Sequence, residues 1–443
     1  VAPLDQLFLW LERRNQPIHV GGLLLLKPPP ETDDSYLSRV VDIARRATSA
    51  HPPFNRMLTR RLGAWFWIED SAFDVDAHLR VLALPSPGRI ADLHALVSQL
   101  HANLLDRAKP LWEWYVIDGV EGGRLAIYVK VHHAMVDGVA AMRMLQRALS
   151  ADPQAQACAP LWAQSRNQRN GRIDAAGRLA HVASQQAASL PRVGAELART
   201  GLANWRRDPD YVSVFHAPRC ILNQRVSASR RFIARTWPLQ RIRAAGKRLD
   251  GTLNDAVLAM CAAALRQYLL SLDALPEKPL IAMVPMSLRR DDSDSGNQVA
   301  MFLANLATDV AAPRQRFATI RRTVAVSKAR YGSMTQTEIM NYLAAVMTIG
   351  GLNLATGLVP GRQPFNVVIS NVPGPKQPLY HEGARLEEMA PVSIVLDGQA
   401  LNISLASYDG DLTFGIIACR RSLPGIGRLL DGLECGLAEL EQA

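Results

Sequence analysis

The stretch RLAIYVKVHHAMVDGVAAMRMLQRAL, residues 124–149, constrains this chain more than any other. It begins with a strand-length run, in which neighbouring side chains point to opposite faces. Leu125, Ile127, Val129 and Val131 share one face, and continuing the alternation brings His133 to that face. His132 falls with Ala126, Tyr128 and Lys130 on the other. Asp137 stands where a helix N-cap belongs, Gly138 is expected to let the chain turn closely, and GVAAMRMLQRAL continues as a helix.

The neighbouring segments alternate in the same way. HVGGLLLLK (19–27) reads as a strand and YLSRVVDIARRATSA (36–50) as a helix. Residues 90–107 form a helix with Leu93, Leu96, Val97, Leu100 and Leu104 on one face. LWEWYVID is a second strand before the histidines. A chain of 443 residues is too long for one ordinary core, so two lobes are expected. The first α/β lobe is placed at 1–155. Residues 156–215 differ in kind: from 161 to 207 there are eight Arg and two acidic residues, with an apolar stripe broken at Pro191. They read as a helical linker with a basic face. The second lobe, 216–443, opens with a long helix over 250–272 and buried strands at 279–289 and 299–309. Asp-Gly at 397–398 and at 409–410 are two-residue hairpin signals, predicting three antiparallel strands.

Composition narrows the class. Hydrophobic residues make 48% and charged residues 20% of the chain, a globular rather than a disordered balance. Lys plus Arg outnumber Asp plus Glu by 50 to 40, which suits an anionic partner without choosing one. No helix-turn-helix, zinc or aromatic RNA-binding pattern supports nucleic acid. The five cysteines are scattered with no CxxC spacing, so a reducing compartment is expected, without a disulfide framework. No signal-peptide pattern is read in VAPLDQLFLWLERR. Residues 339–361 carry no charge over bilayer-spanning length, but two Asn, two Thr, four Gly and a Pro favour a buried helix running into a loop.

The histidine pair admits three readings. One is a core histidine, its buried partner and a capping aspartate. A metal site would need a third ligand, which nothing supplies. The third is general-base catalysis by an imidazole poised near neutral pH.

At this point the chain resembles a known family. HHAMVDG fits HHxxxDG, the signature of the acyl-CoA-dependent acyltransferases that include chloramphenicol acetyltransferase and peptide-synthetase condensation domains. With PLW at 110–112, NDAVLA at 254–259, SNVPGP at 370–375, PVS at 391–393 leading into GQALNISLASYDG, and the opening LDQLFLWLE, the finer resemblance is to the bacterial wax ester synthase/diacylglycerol acyltransferase family.

That resemblance implies an α/β fold of two chloramphenicol-acetyltransferase-like lobes with an active-site tunnel at their interface. It implies acyl transfer from a fatty acyl-CoA, a substrate rather than a cofactor, to a long-chain alcohol or diacylglycerol. His133 would be the general base and His132 structural. Asp137 would orient the motif, with Arg289 as its partner unless Arg289 is simply a surface arginine in RRDD. Asn254 and Asp255 either cap the long helix or line the site. Pro110, Leu111 and Trp112 are expected to pack near the acyl entrance, with Trp112 more often core than contact, and Gly350, Gly351 and Gly357 to leave room for a chain. No metal or cofactor is expected. The basic linker would serve a membrane or lipid-droplet surface on the cytoplasmic side, unless it is an ordinary solvated face. The rivals are an acyltransferase for a polar secondary metabolite and a non-catalytic lipid-droplet protein; no carrier domain adjoins the chain, which disfavours a condensation domain.

Overall fold

The computed structural model describes the chain except residues 2, 30–34, 137, 157, 165–174, 207, 209, 215, 288–298, 333, 336, 340, 343, 346–347 and 349–361. Contacts divide it into two units, neither continuous in sequence. One comprises residues 1–167, 225–240 and 371–426; the other comprises 168–224, 241–370 and 427–443. Lobes at 1–155 and 216–443 with a linker between them are therefore not the division that contacts make. The physical reason is strand pairing: residues near 390 complete the sheet that residue 19 begins.

The first unit is built on that sheet. In its N-terminal part, helix α1 (Pro3–Leu11) precedes strand β1 (His19–Lys27), helix α2 (Ser35–Arg46), and strands β2 (Arg56–Arg61) and β3 (Ala64–Glu69). Strand β4 (Leu79–Ala83), helix α3 (Ile90–Ala102), strands β5 (Trp112–Val120) and β6 (Arg124–His132) and helix α4 (Gly138–Arg147) follow. The sheet order is Tyr380–His381, Ala384–Val392, β1, β6, β5, β4. All pairs are antiparallel except β4 with β5. Hydrophobic alternation makes the sheet two-faced. Leu125, Ile127, Val129 and Val131 enter one buried cluster with Trp112, Met142 and Leu145. Ala126 and Tyr128 enter another with Leu93, Val97 and Tyr115. A central strand covered on both faces must be apolar on both, which is why β6 reads as a nearly unbroken apolar run.

The C-terminal strands split between ladders. Asp409 and Gly410 both hold positive φ and join Leu401–Tyr408 to Asp411–Cys419, as the hairpin signal predicts. Asp397-Gly398 closes only an isolated bridge, Leu396 to Gln399. Its preceding strand, Ala384–Val392, pairs with β1, so the three strands do not form one antiparallel run.

In the second unit, helix α5 (Ala175–Arg206) passes through Pro191 without ending there. Helices α6 (Leu239–Arg248) and α7 (Leu253–Leu270) follow, α6 having its first two residues in the first unit. α7 is buried almost all round, and its glycine-lined neighbour Arg428–Gln442 packs closely: a β-carbon at Gly432 or Gly436 would lie within 3 Å of α7 atoms. Val299–Asn305 pairs antiparallel with Ile281–Ser287. No helix among the described residues is long and apolar enough to cross a membrane.

Candidate active site

The two histidines sit where β6 ends. Register places His19 opposite His132 on β1, and the His132 N–H donates to Leu111 O at 2.9 Å. His132 is fully buried. Its Nδ1 accepts the Ala134 N–H at 3.0 Å, and its Nε2 lies 3.3 Å from Glu12 Oε1. Because Nδ1 accepts, the ring proton belongs on Nε2, facing the carboxylate. Glu12 is itself gripped: Oε1 accepts the Ile18 N–H at 3.1 Å, and Oε2 accepts from Arg107 at 3.0 and 3.3 Å. Burial raises the Glu12 pKa, but His132, the Ile18 N–H and the Arg107 guanidinium outweigh it and hold the carboxyl below its ordinary value.

His133 is past the strand, in the turn, and half-buried. Its N–H donates to Ile18 O at 3.0 Å, so the backbone stays tied to the β1 side for one more residue. Its ring lies against Phe8 of α1, with centroids 4.4 Å apart. The two imidazoles thus differ in environment, His132 fully buried and His133 half-buried against Phe8. Glu12, Phe8 and Arg107 are the partners that the sequence reading missed. Their one visible signal is a carboxylate ending the apolar run LFLWLE.

The other expected site residues fare differently. Gly138 opens α4 with space where a β-carbon would stand and without a positive φ, so no tight turn there requires glycine. Leu111 is fully buried among Leu9, Leu58, Leu105 and Ala134. Trp112 is also core: Nε1 donates to Phe54 O at 2.8 Å, and the ring stacks on His78 at 4.2 Å. Pro110 is buried beside them. Asp255 completes a capping box on α7: Oδ2 accepts the Thr252 N–H at 2.8 Å, and Thr252 Oγ1 accepts the Asp255 N–H at 3.3 Å. Asn254 is partly buried on the same first turn. Asp137, Arg289, Gly350, Gly351 and Gly357 lie outside the described residues.

Next to the motif is a small apolar crevice with room for no more than about one water molecule. Val20, Gly22, Val129, Val131, Val136 and Leu145 are among its lining residues, whereas Pro110, Leu111 and Trp112 are not. Its floor therefore comes from β1 and β6 on the face that the alternation predicts for Val129 and Val131. A β-carbon at Gly22 would stand 2.5 Å from Leu145 Cδ1.

The chain is similar to known proteins. The family model described as "Wax ester synthase/diacylglycerol acyltransferase catalytic domain" matches residues 1–257, and that described as "WS/DGAT C-terminal domain" matches 295–441. An O-acyltransferase WSD from Acinetobacter baylyi is 49% identical over 98% of this chain and 94% of its own length. A probable diacylglycerol O-acyltransferase from Mycobacterium tuberculosis is 42% identical over 100% and 99%. The solved wax ester synthase/diacylglycerol acyltransferase from Marinobacter aquaeolei VT8 superposes with a TM-score of 0.82 at 46% identity, covering 99% of this chain and 98% of that one. The starter condensation domain of rhizomide synthetase, at 11% identity and a TM-score of 0.59 over 100% and 94%, shares the fold alone.

Proposed function

Because this chain belongs to the wax ester synthase/diacylglycerol acyltransferase family, we propose that it moves a long-chain acyl group from acyl-CoA to a long-chain alcohol, giving a wax ester, or to diacylglycerol, giving triacylglycerol. The observation that carries the reading is the difference between the two histidines: His132 is fully buried, with Nδ1 accepting the Ala134 N–H and Nε2 3.3 Å from Glu12 Oε1, whereas His133 is half-buried in the turn after β6.

His133 accepts the hydroxyl proton as the alcohol oxygen attacks the thioester carbonyl. The carbon–sulfur bond then breaks, and the imidazolium returns the proton to the departing thiolate. Ester and free CoA thiol are the products, with His133 neutral again. A thiolate leaves readily, so direct transfer requires no acyl-enzyme, and no GxSxG elbow occurs in the chain. The apolar lining of the crevice on the β1–β6 face matches an acyl chain in polarity, and the crevice must widen to admit one. Each methylene withdrawn from water there contributes about 0.8 kcal/mol. Acceptors and products of this kind partition into lipid, which places the enzyme peripherally at a membrane or lipid-droplet surface.

Thiol release from palmitoyl-CoA, with and without hexadecanol, tests the reading. Release that depends on hexadecanol, with wax ester as product, is expected. No acceptor-dependent release with hexadecanol or diacylglycerol would overturn it in favour of a polar acceptor or a non-catalytic role.

A further inference from the structure

We propose that the outer faces of α1 and of the β2–β3 hairpin form a docking surface for anionic phospholipid, directly outside the segment that carries His133. The inference rests on the acyltransferase reading for its purpose, but not for its measurement.

On α1, Leu7, Trp10 and Leu11 are exposed, Trp10 to 54%. Their i, i+3, i+4 spacing makes one helical face. The opposite side of α1 is also apolar: Leu9 is buried and Phe8 lies against His133. A helix with apolar residues on both sides has a second surface to cover. The hairpin repeats this. Trp65 and Trp67 pack inward with Leu9, Leu58 and Ala134, while Phe66 and Ile68 point out and are exposed.

The hairpin tip is the most informative position. Leu62 and Gly63 are the two loop residues, with φ of 48° and 81°. Turns with two positive φ values favour Asn-Gly, because a side chain such as leucine is strained there. Leu62 nevertheless occupies the site, and it is fully exposed at 107%. Neither backbone preference nor packing within the chain accounts for a leucine here; insertion into an apolar phase does.

The two elements make one surface. The Trp65 N–H donates to Gln6 Oε1 at 3.3 Å, and the Arg60 guanidinium lies over the Trp10 ring at 5.1 Å. Scattered single exposed apolar residues are normal; six on two elements in contact are a patch. Its cations fit the same occupant. Arg13 and Arg14 follow α1, Arg60 and Arg61 flank the tip, and all four are exposed. Glu12, which could offset them, is turned inward to His132 and Arg107. Apolar side chains that enter the acyl boundary, with guanidinium groups at phosphate level, are the composition of an interfacial anchor.

Flotation of the full chain with phosphatidylcholine vesicles, with and without phosphatidylglycerol, tests the proposal. Binding should require phosphatidylglycerol and weaken at high salt. Leu62→Asn suits the turn better than leucine, so it keeps the fold while removing the apolar tip; it should reduce vesicle partitioning severalfold. Adding Trp10→Gln and Phe66→Thr should bring the loss to at least about tenfold. Thiol release with a short, water-soluble alcohol should stay unchanged in both variants. Trp205→Gln, at an exposed position on α5, should leave partitioning unaltered. The proposal is overturned if the full chain does not bind anionic vesicles, or if the triple variant binds as well as the unaltered chain. It is overturned equally if Trp205→Gln alone removes binding, or if the triple variant dissociates an oligomer without changing vesicle binding, which would make the face a protein interface. Because flotation needs no turnover, loss of the acyltransferase reading would show separately, as absent thiol release.

Discussion

Glu12 and His132 form a buried carboxylate–imidazole pair, Oε1 to Nε2 at 3.3 Å. The other ring nitrogen accepts the Ala134 N–H, so the pair also holds the turn on which His133 sits. His132→Ala should therefore be felt as stability. It strands a buried N–H and removes one partner of a buried carboxylate, at a cost of about 2–4 kcal/mol. Urea unfolding measures this. Glu12→Gln is subtler: the amide can donate to Nε2 and select the wrong tautomer, setting two N–H groups face to face at Ala134. Its kcat should fall at least about tenfold with little change in KM. An unaltered kcat in a folded Glu12→Gln protein would remove the orienting role.

His133→Ala should leave the fold intact, since the ring is only half-buried against Phe8. Turnover should fall by at least about a hundredfold, the scale of a lost general base. Circular dichroism alongside thiol release separates the two. Near-normal turnover would remove the mechanism.

Asp255 tests the balance between cap and site. Its carboxylate accepts the Thr252 N–H and hydroxyl at 2.8 and 2.7 Å. Asp255→Ala should cost about 1 kcal/mol, the usual value of an N-terminal capping interaction, and Asp255→Asn less. Activity per folded molecule should not change in either. A fall in kcat beyond the folded fraction would return Asp255 to the catalytic machinery.

Several of these contacts were legible in the sequence and several could not be. The β6 alternation is local, so the opposite burial environments of Val131 and His132 follow from spacing alone. The Asp409-Gly410 turn is likewise local, because two positive φ values demand those residues. Asp397-Gly398 carries the same signal without the expected ladder, because pairing of Ala384–Val392 with β1 is decided by a segment some 365 residues away. Glu12 stayed invisible for the same reason: a carboxylate ending an apolar helix acquires meaning only when β6 delivers His132 to it. Trp112 is held inward by Phe54 and His78, the core position that a large aromatic beside the motif favours over a chain contact.

Acid sensitivity should come from histidines before carboxylates. Burial lowers the pKa of His94 and His381 to about 4 and that of His101 to about 3. His19 is lowered well below its ordinary value in the same way. The His101 ring has no place for a second proton: Nε2 donates to Ser393 O at 2.8 Å and Nδ1 accepts from the Tyr128 hydroxyl at 2.6 Å. These groups are neutral when folded and take up protons on unfolding below about pH 6.5. The unfolded state then binds more protons, so stability is full above that pH and falls as pH drops toward the folded values. At about pH 5.5 three such histidines together cost about 4 kcal/mol, a large share of an ordinary domain's 5–15 kcal/mol. The depressed Glu12 pKa adds a further loss only below about pH 4.3. Urea midpoints should therefore decline steeply between about pH 6.5 and 5. A flat profile down to the carboxylate range would show that these histidines are not buried neutral.

Gly21 and Gly22 are adjacent on β1 and should respond oppositely to the same substitution. A β-carbon at Gly21 would meet the Val129 carbonyl oxygen at 2.5 Å, a backbone atom fixed by the β1–β6 ladder. Gly21→Ala should therefore destabilise by about 1–3 kcal/mol, the cost of overpacking, without altering which acyl-CoA is preferred. At Gly22 the obstacle is Leu145 Cδ1 at 2.5 Å, the end of a flexible side chain that lines the crevice. Gly22→Ala pushes that side chain into the space, and Gly22→Val fills more of it. If the acyl chain lies there once the crevice has widened, excluding two or three methylenes costs about 2 kcal/mol on long substrates and nothing on short ones. The palmitoyl-CoA to octanoyl-CoA ratio of kcat/KM should thus fall at least about tenfold in Gly22→Val, with Gly22→Ala between it and the unaltered chain. An unchanged ratio in a folded Gly22→Val protein would mean that the acyl chain binds elsewhere.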